Sequence, residues 1–469
     1  MIDIIIVFSY LFTVLLFGVW VGKSVGSSND FLTGGRKYPA WVVFATLSAA
    51  FIGGGSTQGT AEKTYLYGLI YLVVNLGFSL KEILVGFFIA PRMGAFPSVF
   101  TVGEMMKVAF GKKAKVITGI ASVFVCGGII GAQIAASGSI IHTLLGPPPI
   151  IGSLLSASIV IIYATLGGMR SVLAVDILHF FVFALVFPIA LIFGIYEIGG
   201  WQVFLGHITH YTHVSSTSIS TEGLIFSFLT FFLGETLVPP YFQRLFIGKT
   251  PEETKKGTLW SGVFSIFFFA LMGCFGLIAF VLEPNLLASS ALPYVLQVTL
   301  PVGLKGLAIA ALLAVIMSTV DSFLNSIAVS FSQDILEPLG LISKRKDREL
   351  LITRLVTAVI GIVSIFVSIN LSCSMDILFY SYQFWTPFIL TPLIAAIYGI
   401  RSSDKAFIVS TTAGIAGVVL WNLLLPKDLK SSMGGGIEGS IFGIILNTIT
   451  FSIYHSKFVK KNLVTDNFI

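Results

Sequence analysis

The sequence predicts an all-α polytopic membrane protein, and three observations carry that prediction. Of its 469 residues, 55% are hydrophobic and only 11% are Asp, Glu, Lys or Arg, against roughly 25% charged in an ordinary soluble domain. Mean hydropathy is +0.95. The apolar residues come in runs long enough to cross a bilayer, and the basic residues gather in alternate gaps between those runs. So little charge does not cover a soluble enzyme of this size. Disorder, a collagen-like rod and nucleic-acid binding are excluded with it, since each needs a polar or repetitive composition. Cys126, Cys274 and Cys373 are odd in number, far apart and inside apolar stretches. They read as small core residues rather than a disulfide framework or metal ligands.

A helix crosses the roughly 30 Å hydrocarbon core with about 20 apolar residues. Thirteen segments meet that requirement: 2–22, 40–60, 69–90, 115–142, 150–167, 171–196, 223–246, 257–282, 303–334, 351–372, 375–400, 405–425 and 436–455. The first does not read as a cleavable signal peptide, because Met1-Ile2-Asp3 lacks a basic leader and the run is long enough to span. The gaps leave no room for a separate soluble domain, so residues 1–469 read as one transmembrane domain. Cytoplasmic loops collect Lys and Arg. With the N-terminus outside and the C-terminus in the cytoplasm, the inside loops hold Lys23, Arg36, Lys37, Arg92, Lys107, Arg170, Arg244, Lys249, Arg345, Arg401, Lys405, Lys457 and their basic neighbours. Lys63, Lys305, Lys427 and Lys430 stay outside, and Lys81 falls within a span. The expected location is the cell membrane.

Two spans carry helix breakers at their centres. The second reads Phe51-Ile52-Gly53-Gly54-Gly55-Ser56-Thr57-Gln58-Gly59-Thr60, and the seventh reads Gly234-Glu235-Thr236-Leu237-Val238-Pro239-Pro240. Unpaired backbone at bilayer depth is tolerated only where it is buried in protein or lines a cavity. The breaks lie five helices apart, one near the start of each half of a five-plus-five repeat, and such matched pairs point to a transporter's binding site. Close glycine packing and a proline kink would account for one break alone. The matched pair, each beside polar residues, favours a site.

Ionisable residues inside a membrane cost several kcal/mol, and the candidates are Glu62, Lys81, Glu82, Asp176, Glu235 and Asp321. The ninth span is the richest, Met317-Ser318-Thr319-Val320-Asp321-Ser322-Phe323-Leu324-Asn325-Ser326. Helical spacing puts Ser318, Asp321 and Ser322 on one face, with Thr319 beside them. Hydroxyls with one carboxylate are hard oxygen ligands, suited to an alkali cation. A Ser/Thr packing seam is the plainer alternative, but a seam does not need a full charge. Asp176 alone reads equally well as a cap, a hydrated group or a ligand.

These motifs resemble those of the sodium:solute symporter family over nearly the whole chain. The loop Ser28-Asn29-Asp30-Phe31-Leu32-Thr33-Gly34-Gly35-Arg36 is similar to that family's first cytoplasmic loop. Gly167-Gly168-Met169-Arg170-Ser171-Val172, with Asp176 after it, is similar to the start of its core helix five. Met317 to Ser326, closing with Gln333-Asp334-Ile335, is similar to its core helix eight. The resemblance implies a LeuT-like 5+5 inverted repeat with broken core helices 1 and 6. An extra helix at 2–22 would precede a ten-helix core at 40–400, and two additional helices at 405–455 would follow it. It implies a main Na+ site from the hydroxyls of Ser318 and Thr319 with the carbonyls of Val315, Phe51 and Gly54. A second Na+ would lie among Asp176, Ser318, Asp321 and Ser322.

Within the family, Gly53 to Glu62 and Tyr241-Phe242-Gln243-Arg244 look most like the high-affinity choline transporters. Their aromatic cage is mostly missing, since Phe51, Ile129 and Val238 stand where tryptophans are expected. Phe51, Gly55, Gln58, Gln133 and Glu235 are the residues placed toward the solute. Glu235 either accepts an amine, pairs with Lys81 or titrates. The expectation is Na+-coupled symport of a small organic solute, an amine, amino acid or similar metabolite, by alternating access. Na+ would be the coupling ion, with no organic cofactor, no enzymatic activity, no nucleic acid and no obligatory protein partner. The other readings are a transporter-like membrane sensor and proton-coupled uptake through Glu235.

Overall fold

The computed structural model describes residues 1–207, 221–342, 346–370, 374–424 and 438–466. Arg345, Cys373, Lys427 and Lys430, read above as loop or core residues, lie outside that set. In chain order the helices are α1 (Ile2–Lys23), α2 (Ser28–Thr33), α3 (Ala40–Phe51), α4 (Gly54–Tyr67), α5 (Leu72–Leu84), α6 (Val102–Phe110), α7 (Lys112–Leu145) and α8 (Pro149–Glu197). There follow α9 (Thr221–Leu233), α10 (Pro239–Arg244), α11 (Pro251–Leu282), α12 (Ala291–Thr299), α13 (Leu304–Ser330), α14 (Lys346–Asn370), α15 (Ser374–Ile397), α16 (Asp404–Leu424) and α17 (Glu438–Asp466). Among the described residues the only bridge between extended segments joins Tyr38 and Gly248.

Among the described residues eight helices are long and apolar enough to cross a membrane, or nine if the bent pair α3–α4 counts as one span. A count of thirteen crossings further requires reading α8 as two spans and the shorter and broken helices as one each. Helix α8 is kinked at Gly168, whose φ of 51° and ψ of −141° interrupt it. That conformation suits glycine, and a Cβ there would lie 2.5 Å from the Phe31 carbonyl oxygen. The exposed faces carry Phe12, Leu16, Phe124, Leu185, Phe267 and Phe366. A soluble protein of this size would bury such a surface; a bilayer accepts it, provided that backbone polar groups are paired internally.

At the centre runs α13, in which every residue from Ala308 to Ser330 is buried. Its Ala308, Ala310, Ala311 and Ala314 let neighbouring helices approach closely. It packs on α1, α3, α7, α8, α10 and α14. The first helix is tied to this core at three levels. The Asp3 carboxylate accepts the Gly303 and Gly306 amides at 2.7 and 2.9 Å, capping the start of α13. Tyr10 Oη meets His179 Nδ1 at 2.5 Å, and Ser171 donates to the Gly18 carbonyl at 2.8 Å.

Candidate ion and solute site

Helix α3 ends at Phe51 and α4 begins at Gly54, bent from it by 62°. In an unbroken helix the Gly53 and Gly54 amides would bond the carbonyls of Ala49 and Ala50. Here the Gly53 amide donates to Ser56 Oγ at 3.1 Å and the Gly54 amide to Gln133 Oε1 at 3.2 Å. The break therefore takes helical donors away from the last carbonyls of α3. One is met from across the bundle: Ser318 Oγ donates to Ala49 O at 2.8 Å, sharing its proton with Val315 O at 3.0 Å. Thr319 Oγ1 lies 3.2 Å from the same Val315 carbonyl. Val315, Ser318 and Thr319 thus meet the broken helix, and the carbonyl that reaches them is that of Ala49. Phe51 presents its ring to the cavity described below. Gly54 sits in a space that admits no side chain, since a Cβ would lie 2.6 Å from Ile316 Cγ1.

One turn along α13, Asp176, Ser318, Asp321 and Ser322 converge and are all buried. A cation already stands among them. Arg244, at 0% exposure, donates through Nη2 to Asp176 Oδ2 at 2.6 Å and to Ser322 Oγ at 2.5 Å, and through Nη1 to the Pro240 carbonyl at 3.0 Å. Asp321 accepts from Tyr163 Oη at 2.6 Å and from Ser322 Oγ at 3.2 Å. Ser322 lies 2.6 Å from the Ser318 carbonyl. Arg244, counted in the sequence as a marker of the cytoplasmic face, belongs instead to the interior. Its position on the half-helix after Pro239-Pro240 was the available signal, because that half-helix turns inward at the break.

A cavity with about 650 Å³ of atom-free space, solvent at its mouth included, lies beside the first break. Phe51, Gly55, Gln133 and Glu235 line it, together with Thr319, Phe78, Tyr241 and Asn75; Gln58 is not among its lining residues. Glu235 lies in the stretch between α9 and α10, where Leu237 has a φ of 54°. Thr386 caps the end of α9 by donating to Gly234 O at 2.8 Å, and Trp385 Nε1 donates to Thr236 O at 3.1 Å. Glu235 Oε2 accepts from Tyr241 Oη at 3.0 Å. Lys81 makes no ion pair within 4.0 Å among the described residues; its ammonium stands over the rings of Phe51, Phe78 and Tyr241. Glu62 pairs with Lys63 at 3.7 Å and is partly exposed.

The basic end of the bundle is closed. Tyr38 N–H donates to Ile247 O at 3.2 Å and Lys249 N–H to Tyr38 O at 2.9 Å, joining the segments that lead into α3 and out of α10. Arg36 spans to the Pro97 and Val99 carbonyls at 2.5 and 2.6 Å. Glu253 accepts the Ala40 amide at 2.5 Å.

Two interrupted helices, each placing polar groups beside one cavity and bonded together at one end, are the arrangement of the LeuT-type fold. Residues 31–414 match the model of the sodium:solute symporter family. The chain belongs to that family and is a multi-pass membrane protein. It is 26% identical to the human sodium/iodide cotransporter, an alignment covering 68% of this chain and 53%, about half, of the relative. It is 25% identical to the sodium/sialic acid symporter NanT of Aliivibrio fischeri, with 98% of this chain and 94% of the relative covered. A solved Na+-coupled sialic acid symporter in a substrate-bound, outward-open state superposes with a TM-score of 0.85 at 20% identity, over 98% of each chain. Mhp1 in its inward-facing conformation gives 0.55 at 12% identity, over 92% and 95% of the two chains. At such identities the structural likeness is one of fold.

Proposed function

We propose that this protein carries a small organic solute, an amine, amino acid or similar metabolite, into the cell together with Na+ by alternating access. The observation that supports this most directly is the junction of Ala49, Val315, Ser318 and Thr319. It joins the Ala49 carbonyl at the end of a broken helix to the Ser318 hydroxyl on the central helix, with that helix's own Val315 carbonyl and Thr319 hydroxyl beside them, a hard-oxygen set of the kind that suits an alkali cation. Na+ arriving there accepts the Ala49 and Val315 carbonyls and both hydroxyl oxygens as ligands. By holding α3 against α13 it shapes the cavity beside Phe51 and Gln133, so solute and ion strengthen each other reciprocally, typically by about 1–3 kcal/mol. Each ion moving inward down about 100 mV gains about 2.3 kcal/mol from the potential.

In this reading one Na+ moves per cycle, because Arg244 supplies the cation between Asp176 and Ser322 where a second ion was expected. The basic end is the cytoplasmic one, which puts the N-terminus outside and gives the structure an outward-facing arrangement with its cytoplasmic side latched. Helix α1 is then the extra helix, residues 40–400 the ten-helix core, and α16 with α17 the two additions. Relatives bear the names of iodide, glucose, sialic acid and choline carriers, so the solute is not inherited from kinship. Glu235, facing the cavity with Tyr241 behind it, is the residue that selects a basic nitrogen.

The test is uptake of candidate amines and amino acids into liposomes holding the purified protein, under an inward Na+ gradient and under an equal K+ gradient. Accumulation only with Na+ supports the reading. Equal rates in both cations sink it, and ligand binding without any uptake would favour the sensor.

A further inference from the structure

Lys81 lies on α5, only 3% exposed, and its Nζ has no hydrogen-bond partner among the described residues. A bare ammonium at this depth is costly unless something replaces its water. What surrounds it is aromatic: Nζ stands 4.8 Å from the ring centroid of Phe51, 4.9 Å from that of Phe78 and 5.7 Å from that of Tyr241. The rings brace one another edge to face, with Phe51 to Phe78 at 5.4 Å and Phe51 to Tyr241 at 5.8 Å. All three also line the solute cavity. Phe51 is the last residue before the first break and Tyr241 lies on the half-helix after the second. One tethered cation therefore touches both interrupted helices.

Several rings around one ammonium is the arrangement that recognises quaternary ammonium ligands. We propose that Lys81 is the resident cation of the solute cavity and its specificity-determining residue. Its own ammonium fills the aromatic cage, so the cavity refuses quaternary ammonium solutes and takes primary or secondary ammonium groups, whose N–H bonds are offered to Glu235. Of the ionisable groups, Glu235 and Lys63 line the cavity, and Lys81 reaches it through the three rings. The inference deepens the proposed symport and rests on it for the cavity's being the solute site.

The experiment uses the purified full-length protein, the substitutions Lys81→Ala and Lys81→Met, and tetramethylammonium as the probe, read by thermal unfolding in Na+ and in K+. Trimming Lys81 to alanine empties the cage, whereas methionine keeps most of its bulk without the charge. The expected result is no saturable shift for wild type or Lys81→Met, and a saturable shift for Lys81→Ala that weakens at least threefold when Phe51→Leu is added. Where Lys81→Ala purifies poorly, adding tetramethylammonium during expression and extraction is expected to restore its yield at least threefold. Wild type binding the probe as tightly as Lys81→Ala overturns the proposal. So does Lys81→Ala gaining neither binding nor yield from it. The Na+ arm separates the two readings: loss of Na+-specific stabilisation in wild type counts against Na+ coupling, and the response to tetramethylammonium judges Lys81 either way.

Discussion

The Arg244 guanidinium donates to the Asp176 carboxylate at 2.6 Å, with both side chains wholly buried. The pair joins the half-helix after the second break to the long helix kinked at Gly168, and Ser322 brings the central helix into the same contact. Removing one partner of such a pair strands the other charge, at a cost of about 3–5 kcal/mol. Arg244→Met is therefore expected to lower thermal stability in detergent sharply. Asp176→Asn added to it should recover a large part of the loss. Equal stability of the single and double variants would mean that the pair is not coupled in this way.

At the first break the hydroxyls of Ser318 and Thr319 are expected to act on ion affinity. Ser318→Ala and Thr319→Ala should each raise the Na+ concentration for half-maximal effect about tenfold, equivalent to about 1.4 kcal/mol. That lies at the upper end of a typical net hydrogen-bond contribution. The measurement is Na+-dependent uptake or thermal stabilisation, normalised to the amount of folded protein. An unchanged Na+ response in both variants would move the ion elsewhere.

Gly54 meets Ile316 Cγ1 and Gln133 Oε1, at 2.6 and 3.0 Å from where a Cβ would be. Gly54→Ala is thus an overpacking change, expected to cost about 1–3 kcal/mol of stability. Its cost should be smaller in an Ile316→Ala background, which lacks that Cγ1. Unfolding temperatures of the wild type, the two single variants and the double variant check the prediction, and an equal cost in both backgrounds would place the strain on Gln133.

Glu235→Gln keeps an oxygen to accept the Tyr241 hydroxyl and removes the charge. For an ammonium solute the apparent affinity should fall at least tenfold, an effect of about 1.4 kcal/mol or more, while the Na+ response of the solute-free protein stays as it is. Solute affinity unchanged in the variant would make Glu235 a structural partner of Tyr241 only.

At the basic end, Arg36 holds the Pro97 and Val99 carbonyls. Arg36→Ala removes both bonds and is expected to shift the population toward a form opened at that end. A cysteine at Ser48, whose side chain is buried in the present arrangement, would then be modified several-fold faster from the side of that basic end in reconstituted vesicles. Identical modification rates with and without Arg36 would show that the main-chain bonds of Tyr38 suffice.

Much of the architecture is legible from composition and breakers, because a bilayer admits few solutions: long apolar helices, and irregular backbone only around a site. The register at the break is harder to read. A glycine amide that leaves the helix frees the carbonyl four residues earlier, so Gly53 points back to Ala49. The family resemblance instead suggests Phe51 and Gly54, because the run Gly53-Gly54-Gly55 aligns with it in more than one register. Arg244 resists sequence reading for another reason: at the end of an apolar run, a basic residue looks like a topology marker. Only the inward turn after Pro239-Pro240 carries it to Asp176. Lys81 is visible as a charge within a span, but its partners are rings from α3, its own helix α5 and α10, and helical spacing along one span does not reveal them.

The Ser318 hydroxyl has one proton, and that proton lies between the Ala49 and Val315 carbonyls. Binding Na+ requires the oxygen to turn a lone pair toward the ion and its proton elsewhere. The same atom then joins the two helices by accepting where it had donated. On the proposed cycle, a carrier that has released its cargo has to reset with nothing bound, and a gap between α3 and α13 at that moment would be a path for ions alone. A lone hydroxyl proton, standing in for the departed cation, keeps the return journey sealed.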